Sequence, residues 1–218
     1  PNTSETAFIG LMEQLQTMSR DQIKCRLLKE LDAGTLDSKK LEELFTSGPR
    51  GEKVAQKDQR LRTFITHDAA RRDLVSHVYD ITHGTIPPDS SLVVIDDSIV
   101  RGTTLRESII TMLARLRPTR IIIVSSAPPI MYPDCYGIDM SQLGKFIAFE
   151  AAVELTKDRG QDAIFDEVEE KCKSQINKPL DKMQNYVKEI YHQFSLEEIS
   201  KTVAQLVRPN DLHWEGKL

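Results

Sequence analysis

Apolar and polar positions along this chain read as helix first, then buried strand, then helix again. Ala7, Phe8, Leu11, Met12 and Leu15 recur at helical spacing behind the capping side chains of Asn2 to Thr6, which predicts an opening helix. Residues 20–48 carry Leu27, Leu28, Leu31, Leu41, Leu44 and Phe45 in charged, helix-forming sequence. A turn around Gly34 divides them and Ser47-Gly48-Pro49 closes them, so two short helices are expected. From Arg50 to Arg62 the sequence is polar and basic with no sustained period, the pattern of a mobile surface loop whose charge suits an anion.

Ser91-Leu92-Val93-Val94-Ile95 is a continuous run rich in β-branched residues between Pro87-Pro88 and Asp96, which predicts a strand buried on both faces of a parallel sheet. Leu105, Ile109, Met112, Leu113 and Leu116 then follow i, i+4, i+7, i+8 and i+11 until Pro118 stops them, an amphipathic helix. Ile121 to Val124 repeats the strand signal and completes a β-α-β unit, for which a right-handed crossover is the default. The central fold class is therefore α/β. Beyond Met140, Leu143 to Leu155, Val168 to Cys172 and Met183 to Phe194 read as helices. Ser195-Leu196-Glu197-Glu198 forms a capping box ahead of Ile199, Val203, Leu206 and Val207, and that last helix ends at Pro209. The change of texture places one boundary near residue 155, between a domain of residues 1–155 and a helical C-terminal extension of residues 156–218.

At 218 residues the chain is long enough to bury a core without metals or disulfides. Its net charge of −4, with basic residues scattered, lays down no footprint for a nucleic-acid backbone. No apolar run approaches the ~20 residues of a membrane span, so neither nucleic acid nor membrane is an expected partner. Cys25, Cys135 and Cys172 lie too far apart for a metal clip or a disulfide framework, which points to a reducing, cytoplasmic setting. The start at Pro1-Asn2-Thr3 shows no basic segment or apolar core of a secretory signal. His67, His77, His83, His192 and His213 have no ligand spacing and read as ordinary packed or surface residues.

Candidate chemistry concentrates in the string from Val93 to Thr104, which runs out of the strand, through a turn and into the helix. Ligands collect at such corners of open α/β sheets. Ser98, Gly102, Thr103 and Thr104 can aim hydroxyls and backbone N–H groups at one phosphate, with the helix dipole behind them. Asp96 and Asp97 would repel a second anion, so they need hydroxyl donors or a divalent cation; a ribose diol offers the donors.

The whole string resembles the phosphoribosyl pyrophosphate loop of type I phosphoribosyltransferases, and its ending Val100-Arg101-Gly102-Thr103-Thr104 resembles the glutamine phosphoribosylpyrophosphate amidotransferase family. Members acting on nucleobases more usually end the loop Thr-Gly-Gly-Thr. Arg62-Thr63-Phe64-Ile65, Ser126-Ala127-Pro128-Pro129, Tyr132-Pro133 and Tyr136-Gly137-Ile138-Asp139-Met140 extend the likeness across residues 56–140. Pro1-Asn2-Thr3-Ser4 resembles the Pro-x-x-Ser/Thr segment that opens a family helix, which implies a chain beginning part-way through the transferase sheet, without the glutaminase domain. The resemblance implies a parallel-sheet type I phosphoribosyltransferase fold and attack of ammonia on phosphoribosyl pyrophosphate, giving phosphoribosylamine and pyrophosphate in purine synthesis.

Under that resemblance Asp96 and Asp97 are the catalytic carboxylates and the Mg²⁺ site, and Ser98, Ile99, Val100, Arg101, Gly102, Thr103 and Thr104 bind substrate. Lys57, on the basic loop, would close over the pyrophosphate; it falls one position from the family lysine, and its other reading is a solvated loop lysine. Arg71 and Arg72 could meet phosphate or decorate a surface helix. The family also implies ammonia supplied by a glutaminase domain, a homo-oligomer and feedback by purine nucleotides. Two alternatives stay open: a non-catalytic phosphoribosyl pyrophosphate or nucleotide-binding regulator, and a nucleobase phosphoribosyltransferase.

Overall fold

Between Gly10 and Gly34 no glycine or proline interrupts the chain, and one helix, α1, runs the whole way from Thr3 to Asp32. The opening helix and the first of the two short helices expected after it are thus a single element, because nothing in the intervening sequence stops propagation. The expected turn does stop it. Gly34 takes φ +63°, the left-handed conformation that glycine adopts without steric cost. The Gly34 N–H bonds to the Leu31 carbonyl at 3.1 Å and the Thr35 N–H to the Glu30 carbonyl at 3.0 Å. Helix α2 (Ser38–Thr46) follows, and the Asp37 carboxylate caps it by accepting from the Lys40 N–H at 2.7 Å.

The computed structural model describes residues 3–46, 48–51, 55–57, 79–81, 86–87, 89–134, 140–209 and 214–218. Within the basic segment expected to be a loop, Ala55–Lys57 forms a strand, β1, paired antiparallel with β2 (Tyr79–Ile81). That corrects the loop reading for these three residues. The rest of 52–62, with Arg71, Arg72 and the Tyr136 to Asp139 motif, lies outside the described residues.

Strands β3 (Ser91–Asp96) and β4 (Arg120–Ser125) pair in parallel, from Ser91 opposite Arg120 to Asp96 opposite Ser125. The chain between them forms helix α3: an α-helical turn Gly102–Thr104, a π-helical stretch Leu105–Ile110 and an α-helical end Thr111–Ala114. Leu92, Val94, Ile121 and Ile123 share one face of the strands and pack with Leu113, Ala114 and Trp214. The expected burial of both faces is not met. On the opposite face Val93, Ile122 and Val124 remain 50, 40 and 40% exposed, because the connecting helix covers one side only. The π-helical stretch widens the turn and shifts the downstream face, so Ile110, absent from the expected stripe, is fully buried while Ile109, Met112 and Leu116 are half-buried.

The tail continues with a short 3-10 turn at Leu143–Lys145, then α4 (Ile147–Asp158) and α5 (Ala163–Lys173). A second 3-10 turn (Leu180–Lys182) leads to α6 (Lys188–Tyr191) and α7 (Leu196–Leu206). Of the stretch from Met183 to Phe194 only α6 is α-helical, a correction to the longer helix expected there; the Asn185 side chain instead turns the chain by accepting from the Val187 N–H at 3.1 Å. Ala148, Ala151, Ala152, Val168, Ile190, Tyr191, Phe194 and Ile199 form one core. A second core joins Leu105 and Ile110 of α3 to Ile147 of α4 and to Val207. The division drawn near residue 155 falls inside α4. At the far end the Trp214 indole donates to the Pro118 carbonyl at 2.7 Å, and Lys217 bridges to Arg120 beside β4. Among the described residues no helix is long and apolar enough to cross a membrane.

Candidate functional site

The carboxyl end of β3 delivers Asp96 and Asp97 into a corner that β4 helps to build. As β4 ends, the Ser126 N–H bonds to the Asp96 carbonyl at 2.9 Å and the Ala127 N–H to the Asp97 carbonyl at 3.0 Å. The Ser126 hydroxyl adds a 3.2 Å bond to the Asp97 carbonyl. With their backbone oxygens occupied in this way, the two residues are held from behind. Asp97 is exposed and Asp96 half-buried. The Asp97 N–H donates to Asp96 Oδ1 at 2.9 Å, which orients the first carboxylate.

The turn beyond them is anchored by apolar contacts. Ile99 packs on the core that Leu105, Ile110, Ile147 and Val207 form. The Val100 carbonyl accepts from the Ile147 N–H at 2.9 Å, so the first residue of α4 braces the turn. Arg101 is extended (φ −114°, ψ 138°) just before the helix, and Gly102 is its first residue. The glycine is buried. A Cβ at Gly102 would lie 2.6 Å from Ile147 Cδ1 and 3.5 Å from Val207 Cγ1, so the packing of the Ile147 side chain favours glycine here independently of any ligand. Thr103 is exposed, and Ser98 is half-buried.

The structure therefore gathers Asp96 through Thr104 on one strand-turn-helix corner. Lys57 ends β1, opposite Tyr79, in the other two-stranded sheet. Among the described residues no three His, Cys, Asp or Glu side chains converge as a metal cage. Two adjacent carboxylates fit a hard divalent cation that takes most of its ligands from water and a substrate's phosphates. Sequence reasoning missed the bracing by Ile147 and the backing of the Asp pair by Ser126 and Ala127. Only the Ser-Ala-Pro-Pro motif marked the second of these.

No protein-family model matches the chain. It is similar to the amidophosphoribosyltransferase of Bacillus subtilis (strain 168), 40% identical over 98 residues that make up 43% of this chain and 19% of that protein. The amidophosphoribosyltransferase of Pasteurella multocida (strain Pm70) is 44% identical over 61 residues, 28% of this chain and 12% of that one. That of Staphylococcus aureus (strain Mu50) is 34% identical over 102 residues, 44% and 19%. The matched segment thus spans about a fifth of the length of these relatives or less. A solved structure, that of the allosteric regulatory enzyme of purine biosynthesis, is 27% identical across 70% of this chain and 27% of its own, with a TM-score of 0.33.

Proposed function

We propose that this chain carries the phosphoribosyl-transfer part of an amidophosphoribosyltransferase: ammonia attacks the anomeric carbon of phosphoribosyl pyrophosphate, the bond from that carbon to the pyrophosphate oxygen breaks, and phosphoribosylamine and pyrophosphate leave. The attacking nitrogen sheds its extra proton to solvent. The single observation that carries the reading is the corner from Asp96 to Thr104, two carboxylates at the end of a parallel strand followed by a short turn and a helix start. It is supported by the likeness to enzymes of that name over 98 residues. On this reading the sheet belongs to a type I phosphoribosyltransferase fold, and a glutaminase domain supplies the ammonia. A homo-oligomer under purine-nucleotide feedback, working in the cytoplasm, completes the reading.

The chemistry builds positive charge on the ribose ring and negative charge on the leaving group. Asp96 and Asp97 answer the first, accepting hydrogen bonds from the ribose hydroxyls beside the developing cation. The turn from Ser98 to Thr104 answers a different need: its hydroxyls and N–H groups hold the monophosphate, which fixes the ring relative to the nucleophile. Mg²⁺, when bound with the diphosphate, would be held through Asp96 and Asp97 and would offset the leaving group's charge. Lys57 is assigned to the same pyrophosphate end, where a closed lid would keep out water competing with ammonia.

Titration calorimetry with phosphoribosyl pyrophosphate and Mg²⁺ tests the assignment. Asp96→Asn with Asp97→Asn keeps the shape and removes the charge. A charge-assisted hydrogen bond is worth about 1.5–3 kcal/mol, so affinity should fall roughly tenfold or more per bond lost. Unchanged affinity in the double variant would remove the carboxylates from the site.

A further inference from the structure

We infer that Tyr191 is a positioning residue for the Asp96–Asp97 corner: it holds the loop that leaves β4, and through that loop the helical tail takes part in substrate binding. The inference rests on the phosphoribosyl reading of the corner and adds to it a side chain far from the strand-turn-helix motif. Nothing in the sequence around Tyr191 marks it.

The loop from Ser126 to Asp134 has no regular structure, yet its first two residues are the ones bonded to the Asp96 and Asp97 carbonyls. Ser125 adds a local tie, its hydroxyl donating to the Ala127 carbonyl at 2.9 Å. Beyond Ala127 come Pro128 and Pro129, which have no N–H and cannot fasten the chain through backbone donors. The next anchor has to come from elsewhere. It is the Tyr191 hydroxyl, donating to the Met131 carbonyl at 2.9 Å.

Tyr191 is well placed to be a fixed point. It is only 3% exposed and belongs to the core formed by α4, α5, α6 and α7. The Tyr132 ring meets it edge-on, with centroids 5.7 Å apart and planes at 83°, and Phe149 packs at 6.5 Å and 68°. Burial, with a smaller contribution from Tyr132, holds the phenol proton on well above its ordinary range, so the hydroxyl stays a donor at any pH at which the protein works. The loop is closed on its far side by the Asp134 N–H bonding to the Met140 carbonyl at 2.8 Å. The connection runs from the tail core through Tyr191 to Met131, along the short chain of Ile130 and the two prolines to Ala127 and Ser126, and by their hydrogen bonds to the backbone of the two aspartates.

Tyr191→Phe removes the hydroxyl and keeps the ring, so the aromatic packing survives. Ser195→Ala is the control: it weakens the same tail by removing a hydroxyl that is bonded to Glu198 at the α7 cap. Hydrogen exchange at the Ser126, Ala127 and Met131 amides, without ligand, should quicken in Tyr191→Phe and stay at parent rates in Ser195→Ala. Calorimetry with phosphoribosyl pyrophosphate and Mg²⁺, well below the unfolding transition of either variant, should show three- to tenfold weaker binding for Tyr191→Phe only. Unaltered exchange in Tyr191→Phe, or equal changes in both variants, would overturn the anchor. A parent chain that binds no phosphoribosyl pyrophosphate would instead overturn the reading of the corner and the binding half of this inference, and the exchange comparison tells the two failures apart.

Discussion

At Gly102 a single hydrogen atom occupies space that Ile147 Cδ1 would contest with any larger side chain. Ile147 is 1% exposed, so its terminal methyl can give way only by disturbing its packed surroundings, and Gly102→Ala should destabilise the protein by about 1–3 kcal/mol, the usual cost of overpacking. Ile147→Val removes the offending methyl. Denaturant unfolding of the two single variants and the double should therefore show the double losing less than the sum of the singles, and strict additivity would refute the contact. The sequence marks Gly102 as a glycine in a ligand loop. Its packing reason is invisible there, because Ile147 comes close only after the chain has passed through α3, β4 and the loop beyond.

At the scale of elements, α7 shows a local signal realised in full. The Ser195 hydroxyl accepts from the Glu198 N–H at 3.2 Å, and the Glu198 carboxylate accepts from the Ser195 N–H at 2.8 Å. Ser195→Ala should cost about 0.5–2 kcal/mol in thermal or denaturant unfolding. The Ser195 backbone N–H, then its hydroxyl, with Arg159 adding to them, hold the Glu198 carboxyl below its ordinary value of 4.5. A carboxylate with a lowered folded pKa contributes stability that is fully present above that ordinary value and is lost as pH falls through the lowered one. The stability gap between the parent and Glu198→Gln should accordingly shrink as pH drops below 4.5; a constant gap across an acid titration would show that the charge does not matter. Helix α3 behaves differently. Its amphipathic stripe is legible in the sequence, but the π-helical stretch rotates Ile110 into the core, and no local residue preference announces that shift.

Across the whole molecule the tail and the β-α-β unit share their packing, since Leu105 and Ile110 meet Ile147 and Val207 in one cluster. The end of the chain returns as well. Trp214, 8% exposed, donates its indole N–H to the Pro118 carbonyl, and Lys217 exchanges backbone bonds with Thr119 and Ile121 at 3.0 and 2.8 Å. Trp214→Phe leaves that carbonyl without its donor, so a loss of about 1–3 kcal/mol is expected in unfolding followed by circular dichroism. A variant as stable as the parent would mean that this closing segment adds nothing to the sheet.

The sequence by itself determined what depends on neighbours in the chain: that most of the helices form, the capping box of α7, the turn at Gly34, the two β-branched strands, and the carboxylates at the end of the first strand. Backbone propensity, side-chain period and capping act within a few residues, so a linear reading reaches them. Tertiary structure alone decided which strand face stays open at Val93, Ile122 and Val124, that β1 forms inside a polar segment, and that Ile147, Ser126, Ala127 and Tyr191 brace the corner. Those outcomes depend on contacts between residues remote in sequence, where what packs against a side chain is set by how the elements assemble and by no pattern local to it.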